Sequence, residues 1–308
     1  MNLYITHSSC RLHDNGIYHP EMAERIGRIE DQLISSQLFE WFLHDEARAA
    51  TDEEIALVHD PRLISVLEEA LPEEGVRAVD EDVYLSPHSL EAARHAVGAV
   101  LDGIDALHEG RAKRVFCNVR PPGHHAEHRR PMGFCLFNNI AIGAAYALHK
   151  HGYERIAIVD FDVHHGNGTE EYVRSEPRVW LGSSFEHPLY PHSDPLSDLE
   201  NMVKMPLAKF SGSDAFQQAW LEQAFPALRV FQPQLILVSA GFDGHALDPL
   251  ANLRLHENDY AWMAQQLVKL SEESAQGRVL AVLEGGYDLG ALSVSVREFI
   301  KALFELSA

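Results

Sequence analysis

The sequence predicts an α/β fold in which helices flank both faces of a central, mostly parallel β-sheet. Short apolar segments rich in branched residues alternate with longer segments of helical periodicity, as parallel strands joined by helical crossovers require. Five of the apolar segments run directly into clusters of carboxylates, imidazoles, glycines, serines and one tyrosine. Because ligands of open parallel sheets bind beyond the carboxyl ends of the strands, we expect these clusters to meet in one crevice.

Six apolar segments have the length and composition of buried strands, and five longer segments have helical periodicity. The predicted strands are Asn2–Ile5, Arg114–Asn118, Ile156–Asp160, Val179–Gly182, Leu235–Ser239 and Val279–Leu283. The predicted helices are Leu90–Leu107, Asn139–His149, Asp214–Arg229, Glu257–Glu273 and Leu292–Leu306. Four irregular stretches are too long for ordinary connections and are expected to wall the site: Ser8–Glu21, Gly75–Pro87, Pro121–Gly133 and Phe185–Leu207.

The composition indicates one domain. With 308 residues, 46% of them hydrophobic, the chain can bury a large core, and no linker or repeat divides it. We therefore expect a single domain over residues 1–308. The first residues lack the basic and apolar regions of a secretory signal, and no apolar run has the length of a membrane span. A cytoplasmic protein is the expectation.

Cysteine count and net charge narrow the function classes. The three cysteines show no C-x-x-C spacing, which argues against a disulfide framework or a structural zinc site. The formal net charge of −21 repels nucleic-acid phosphates and anionic membranes, so neither is an expected partner. The same charge favours cationic ligands such as lysine-rich peptides or polyamines.

The five polar clusters together form the inventory of a metallohydrolase. An isolated Asp-x-Asp is usually a loop or a helix cap, and an isolated His-His pair is usually a surface feature. Pieces of this kind at successive strand ends do not coincide by chance. The clusters are Arg120-Pro-Pro-Gly-His-His125, Asp160-Phe-Asp-Val-His-His-Gly-Asn-Gly168, Gly182-Ser-Ser184, Gly241-Phe-Asp243 and Glu284-Gly-Gly-Tyr287.

Three residues from two clusters are predicted to hold a catalytic metal ion. Asp162 and His164 lie two residues apart just beyond a predicted strand, so their side chains project to the same side. Asp243 ends a separate apolar segment. Two carboxylates and one imidazole suit a first-row divalent ion with open coordination positions. We expect one zinc ion, and iron(II) would suit the same ligands.

Hydrolysis at the predicted metal requires a general base and an oxyanion donor from other side chains. Two carboxylates cancel the charge of a divalent ion, so it acidifies bound water less than a tris-imidazole site would. The pair His124-His125 supplies a general base. Tyr287, on a turn that glycines permit, is suited to donate a hydrogen bond to a developing oxyanion. A narrow slot for an aliphatic chain is expected from Gly133, Phe134 and Tyr190.

At these residues the chain resembles the arginase-deacetylase superfamily, specifically class II-type histone deacetylases and the bacterial histone deacetylase-like amidohydrolases. The likeness covers essentially the whole chain, and its motifs are specific. They are Arg120-Pro-Pro-Gly-His-His-Ala126, Met132-Gly-Phe-Cys-Leu-Phe-Asn-Asn139, Asp160-Phe-Asp-Val-His-His-Gly-Asn-Gly-Thr169, Ser239-Ala-Gly-Phe-Asp243, Asp248-Pro-Leu250 and Glu284-Gly-Gly-Tyr-Asp288, with His13-Asp14 and His19-Pro-Glu21 near the start.

The resemblance implies an arginase-like fold and zinc-dependent hydrolysis of the amide of acetyl-lysine, or a related acyl-lysine, in proteins or peptides. It implies that the zinc binds water and the amide carbonyl, while His125 removes a proton from the water. Tyr287 would stabilise the tetrahedral oxyanion. His124, as part of the histidine pair, would help to protonate the departing amine.

The resemblance also assigns supporting residues. Asp160 would orient His124, and a structural potassium ion would be held by Asp160, Ser183 and neighbouring carbonyls. Asn167 stands where class I relatives carry an aspartate. Its neutral amide would orient His125 without raising the pKa of the imidazole.

At the rim, Asp82 resembles the aspartate that grips the substrate backbone, and Arg25 is expected at the foot of the pocket, where acetate leaves. Leu250 lies at the entrance. In one branch of the family an acidic residue at the corresponding position confers preference for polyamines, so Leu250 argues against such a preference.

Three other functions are alternatives to acyl-lysine hydrolysis. An acetylpolyamine amidohydrolase is the closest alternative, since the acidic charge suits it and bacterial relatives achieve that preference by other means. A non-catalytic acyl-lysine-binding protein is disfavoured because every expected ligand, both histidines and the tyrosine are present. A two-manganese guanidine hydrolase would need more bridging carboxylates than the one Asp-x-Asp-x-His set.

Overall fold

The computed structural model describes residues 1–196 and 199–306. Its strands are β1 (Asn2–Thr6), β2 (Leu43–Glu46), β3 (Arg77–Ala78), β4 (Tyr84–Leu85), β5 (Arg114–Cys117), β6 (Ile156–Asp160), β7 (Val179–Glu186), β8 (Met202–Leu207), β9 (Leu235–Ala240) and β10 (Val279–Leu283). Eight of them form one sheet in the order β2-β1-β5-β10-β9-β6-β7-β8. Every neighbouring pair in this sheet is parallel, and β3 and β4 form a separate antiparallel pair.

Helices connect the strands. The α-helices are α1 (Glu24–Ser35), α2 (Asp52–Ile55), α3 (Pro61–Ala70), α4 (Ser89–His108), α5 (Asn139–His151), α6 (Asn167–Ser175), α7 (Ser213–Ala219), α8 (Phe225–Phe231), α9 (Glu257–Ser274) and α10 (Leu289–Leu303). A π-helical turn over Trp220–Ala224 joins α7 to α8. Short 3₁₀ helices occupy Ser8–Arg11 and Phe39–Trp41.

Each face of the sheet has its own hydrophobic core, because successive side chains of a strand point to opposite faces. In β5, Val115 and Cys117 belong to the core that includes α4 and α5. Phe116, between them, belongs to the opposite core with α1, α9 and α10. The predicted α/β class, with a parallel sheet covered by helices on both faces, is therefore confirmed.

The register of the central strands determines where the site forms. Asp160, the last residue of β6, pairs with Ser183 of β7 and Ser239 of β9. Leu283, the last residue of β10, pairs with Ala240, the last residue of β9. The segments that follow these strands therefore leave the sheet on the same side, at the carboxyl ends of the strands. The polar clusters of the sequence come together there.

Several elements were not predicted, among them α1 and the edge strands β2 and β8. The predicted loop Phe185–Leu207 is wrong over part of its length, because β7 continues to Glu186 and β8 begins at Met202. Residues 197 and 198 of that stretch lie outside the described residues. β8 contains Pro206, which an edge strand tolerates because only one of its sides is paired.

Within the described residues, no helix combines the length and the apolar character needed to cross a membrane. The cytoplasmic location stays a prediction.

Two helical glycines predict opposite effects on stability. A Cβ atom on Gly98 in α4 would lie 1.8 Å from the Arg48 carbonyl oxygen, whereas a Cβ on Gly27 in α1 would approach nothing nearer than 3.9 Å. We expect Gly98→Ala to lower the free energy of unfolding by about 1–3 kcal/mol through overpacking. Gly27→Ala should raise it by up to about 1 kcal/mol through helix propensity. Denaturant titration of both variants tests this, and a change of the same sign in both would contradict it.

Candidate active site

A cavity of about 240 Å³ lies at the carboxyl ends of the central strands. It is lined by the five residues predicted to bind substrate, by three residues predicted to be catalytic or metal-binding, and by one residue that was not predicted, Leu189. The lining consists of Asp82, His125, Gly133, Phe134, His164, Leu189, Tyr190, Leu250 and Tyr287. Residues from seven separate stretches of the chain thus meet around one space.

The three predicted metal ligands lie together, and one of them, His164, lines the cavity. The potential ligand atoms of Asp162, His164 and Asp243 all lie within 4.8 Å of one another, and all three side chains are buried. His164 Nδ1 lies 3.2 Å from an oxygen of Asp162 and 3.1 Å from an oxygen of Asp243. The chain therefore brings two carboxylates and one imidazole nitrogen to a single point.

This donor set fits a divalent cation. Two buried carboxylates side by side repel each other, and burial together with the charge of Asp162 raises the pKa of Asp243 to about 7. The backbone leaves no space for a further side chain here, because a Cβ on Gly285 would lie 2.1 Å from Asp243 Oδ2. A cation held by Asp162, His164 and Asp243 would neutralise the two carboxylates at close range.

A second group of potential ligands lies elsewhere and fits a metal less well. His245, His256 and Glu257 also have ligand atoms within 4.8 Å of one another, but His256 is exposed. His245 Nδ1 accepts a hydrogen bond from the Leu247 N–H at 3.2 Å. The proton of this neutral imidazole is therefore on Nε2, the nitrogen that faces Glu257, where it blocks a metal.

The adjacent histidines have different partners. His124 Nδ1 lies 3.0 Å from Asp160 Oδ2, and His125 Nδ1 lies 2.8 Å from Asn167 Oδ1. Burial by itself would lower the pKa of His124, but Asp160 and Asp162 outweigh it and raise the pKa to about 10. Burial and the charge of His124 hold the pKa of His125 well below its usual value. The pair therefore combines a charged ring with a neutral one.

Tyr287 is held in position by contacts on three sides. Its backbone N–H donates to Asp248 Oδ2 at 2.7 Å, and its ring meets the ring of Phe134 edge-on at 5.9 Å between centroids. The guanidinium of Arg25 lies 5.1 Å from the centre of the Tyr287 ring and donates to the Gly286 carbonyl at 2.7 Å. Burial, followed by the charge of Asp243, raises the pKa of Tyr287 well above its usual value, so the hydroxyl keeps its proton.

Glu284 is a site residue whose role the sequence did not reveal. It is fully buried and accepts hydrogen bonds from the backbone N–H groups of Gly123 at 2.7 Å and His124 at 3.2 Å. Ser239 lies 3.1 Å from its other oxygen. Glu284 therefore fixes the backbone that carries the histidine pair. An acid directly before two glycines at a strand end was the available signal.

The predicted potassium ligands lie side by side across the β6–β7 ladder. Asp160 Oδ1 accepts the Asp162 N–H at 3.1 Å, and Ser183 Oγ lies 2.9 Å from His165 Nδ1. The potassium ion itself stays a prediction.

A hydrogen bond joins the predicted rim residue Asp82 to Gly133, a residue of the predicted slot, and both line the cavity. The backbone N–H of Gly133 donates to Asp82 Oδ1 at 3.0 Å. Gly133 has a φ of 58°, and a Cβ at this position would lie 2.3 Å from the ring of His125. Only glycine allows this approach of the backbone to the imidazole.

Comparison with known proteins identifies the family. The family model of the histone deacetylase domain matches residues 19–303. The chain is 35% identical over 317 residues to histone deacetylase 14, chloroplastic, of Arabidopsis thaliana, covering 96% of this chain and 75% of that protein. It is 37% identical over 300 residues to polyamine deacetylase HDAC10 of Homo sapiens, covering 92% of this chain and 44% of that protein.

Comparison with solved structures supports the same family. The crystal structure of the HDA15 HD domain matches with a TM-score of 0.93 and 31% identity, covering 99% of this chain and 88% of that chain. The chain therefore belongs to the histone deacetylase family, and the resemblance of the sequence motifs is confirmed. Members of this family are hydrolases and are generally metal-dependent.

If Asp162, His164 and Asp243 hold the metal, substitution in this cluster should abolish zinc binding, and substitution in the second group should not. Wild-type protein stripped of metal and then dialysed against zinc should retain about one zinc per chain and show a raised melting temperature, since a ligand of the native state stabilises it. Asp243→Asn should abolish both effects because it removes one of two charged ligands. His256→Ala, in the second group, should leave both unchanged. Elemental analysis and thermal denaturation test this, and a metal content that falls only in His256→Ala would refute the assignment.

Proposed function

We propose that this protein is a zinc-dependent deacylase that hydrolyses the amide of Nε-acetyl-lysine, or a related acyl-lysine, in proteins or peptides. The products are lysine and a carboxylate. One observation carries the proposal: His125, Tyr287 and His164 line one cavity, and His164 belongs to the buried cluster with Asp162 and Asp243. These are the groups that amide hydrolysis at a metal needs.

The cavity walls suit an unbranched aliphatic chain. The rings of Phe134 and Tyr190 line the cavity together with Leu189 and Leu250. An acyl-lysine side chain has four methylene groups before its amide, and apolar walls favour their burial. The reacting amide would then lie at the polar floor of the cavity.

The metal would be held by Asp162, His164 and Asp243. When bound, a divalent cation supplies Lewis acidity that polarises a carbonyl and acidifies water. Zinc is the proposed ion, and iron(II) suits the same ligands.

The two histidines would divide the proton transfers. His125 is hydrogen-bonded to a neutral amide and stays uncharged, so it acts as the general base that takes a proton from the attacking water. His124 is paired with the Asp160 carboxylate and stays charged, so it stabilises negative charge and supplies a proton to the departing amine. Tyr287 donates its hydroxyl proton in a hydrogen bond to the oxygen on which negative charge develops.

Further roles complete the proposal. Asp82, at the mouth, would accept hydrogen bonds from the substrate backbone, and Asp160 and Ser183 would hold a structural potassium ion. The site draws residues from Arg25 to Tyr287, so we propose that the chain acts as one catalytic domain.

Hydrolysis of acetylpolyamines is the second candidate. It is supported by the net charge of −21, which attracts polycations, and by the likeness to a relative named polyamine deacetylase. Leu250 in the cavity lining argues against it, because no carboxylate at that position would pair with a second amine of the substrate.

Tyr287→Phe tests the chemistry. Loss of the hydroxyl should lower kcat for an acetyl-lysine peptide by roughly 10²–10³ with an unchanged fold, since one oxyanion donor contributes about that much. Tyr146→Phe removes a hydroxyl that contacts Asp105 far from the cavity and should keep wild-type turnover. Fluorogenic peptide assays with added zinc measure both. If wild-type protein binds acyl-lysine but turns over nothing, the chain is a binding protein and the proposal fails.

Substrate class is tested by comparing the same acetyl-lysine peptide with N-acetylputrescine. We expect the larger kcat/KM for the peptide, because Leu250 cannot pair with a free amine and Asp82 has the proposed role of binding a peptide backbone. Turnover of acetylputrescine alone would select the polyamine alternative.

Asn167→Asp tests the proposed base through pH. A carboxylate 2.8 Å from Nδ1 would raise the pKa of His125 by about one to three units. The base is active only when neutral, so the acidic limb of the kcat/KM profile should move to higher pH. A profile measured from pH 5 to 10 checks this, and an acidic limb that does not move would exclude His125 as the base.

A further inference from the structure

We propose that Glu127 is a positioning residue for the reaction: it fixes the orientation of the Asn167 amide and thereby the tautomer of His125. The inference rests on the proposed function only in giving His125 the role of base. Nothing in the sequence motifs described above gives Glu127 a role, since it lies just after Arg120-Pro-Pro-Gly-His-His-Ala126.

An asparagine amide presents an acceptor on one side and a donor on the other, so its orientation decides what a neighbour meets. Asn167 Oδ1 lies 2.8 Å from His125 Nδ1. On the opposite side, Asn167 Nδ2 donates to Glu127 Oε1 at 2.8 Å. A carboxylate only accepts hydrogen bonds, so Glu127 can pair with the Nδ2 side of the amide and repels the Oδ1 side.

Other contacts of the amide agree with this orientation. Asn167 Nδ2 also donates to the His125 carbonyl at 3.3 Å and lies 3.1 Å from Met132 Sδ. All three neighbours of Nδ2 are acceptors, but Glu127 is the one that carries a charge, and charged acceptors form the stronger hydrogen bonds.

The orientation of the amide determines which nitrogen of His125 is protonated. With Oδ1 of Asn167 facing it, Nδ1 must carry the proton, and Nε2 keeps a lone pair that can accept a proton from water. If the amide turned over, its NH₂ group would face Nδ1 and favour the proton on Nε2. His125 would then keep its place in the cavity lining but lose its ability to act as a base from Nε2.

Glu127 is itself held by its backbone. Its carbonyl accepts a hydrogen bond from His59 Nδ1 at 2.9 Å, and its N–H donates to the Arg130 carbonyl at 2.9 Å. His59 Nε2 accepts the Asn138 N–H at 2.8 Å, which requires that the His59 proton is on Nδ1, towards Glu127. Burial lowers the pKa of His59 to about 4, so this arrangement persists at neutral pH.

Kinetics of Glu127 variants with an acetyl-lysine peptide test the inference. Glu127→Ala should lower kcat by about twofold to tenfold with little change in KM, because the released amide spends half or more of its time turned over and the base is lost in that fraction. Glu127→Gln keeps an acceptor oxygen and should restore most of the activity. Glu171→Ala is the matched control: Glu171 Oε2 accepts the His128 N–H in the same loop, and its side chain is not a partner of the Asn167 amide, so kcat should stay near wild type.

A double variant separates orientation from general support of the loop. Aspartate at position 167 presents an acceptor oxygen to His125 whichever way it turns, so Glu127 has nothing left to orient. Glu127→Ala should therefore cause no further loss of kcat in the Asn167→Asp background, measured at the pH optimum of that variant. An equal loss in both backgrounds would show that Glu127 only supports the loop and would overturn the inference.

The tautomer can be measured without turnover. In zinc-loaded protein labelled with ¹⁵N-histidine, long-range ¹H–¹⁵N correlations distinguish the two tautomers, and comparison with His125→Phe identifies the signals of His125. We expect the Nδ1–H form in wild type and a mixture of forms in Glu127→Ala. An unchanged Nδ1–H form in Glu127→Ala would refute the inference. Absence of turnover in wild type would refute the proposed function instead and leave this spectroscopic test in force.

Discussion

Several carboxylates are buried at the carboxyl ends of the central strands, and the rest of the site depends on this constraint. Asp160, Asp162, Asp243 and Glu284 are almost fully buried where β6, β9 and β10 end. Buried charges of one sign are costly unless they are paired or hydrogen-bonded. Backbone N–H groups and the His124 imidazole pair with these carboxylates, and the proposed divalent cation would neutralise two of them. The glycine-rich turns follow from the same constraint, since they let the backbone come close enough to donate.

A second buried ionic network holds the N-terminal part of the chain against the loops at these strand ends. Arg120 donates to both oxygens of Glu21, at 2.6 and 2.7 Å, and to the carbonyls of Cys10 and His13. Arg25 donates to Glu21 at 3.1 Å and reaches the turn that carries Tyr287. The pKa of Glu21 is lowered well below its usual range, because Arg120 outweighs the effect of burial. The network thus couples the position of Tyr287 to that of the first loop.

The histidine pair illustrates how the partner of an imidazole sets its chemistry. Both rings are buried, and their centroids lie only 4.0 Å apart. Asp160 beside His124 favours the charged form, whereas Asn167 beside His125 does not. Two adjacent residues of the same type can therefore take opposite charge states. A neutral partner, however, has to be oriented, which a carboxylate does not, and this is why a residue beyond it matters.

Local pattern determined much of this protein. The apolar strands β5, β6, β9 and β10, the alternation with helices and the spacing of Asp162 and His164 could be predicted because each depends on residues close in sequence. The tertiary structure decided the rest. Edge strand β2 is polar and exposed, and it is a strand only because β1 pairs with it. Edge strand β8 is mostly apolar but contains Pro206, and its pairing with β7 decides that it is a strand. Glu284 and Glu127 owe their roles to contacts 160 and 40 residues away along the chain, which no local pattern records. Composition and spacing specify which groups are available, but only packing decides which of them meet.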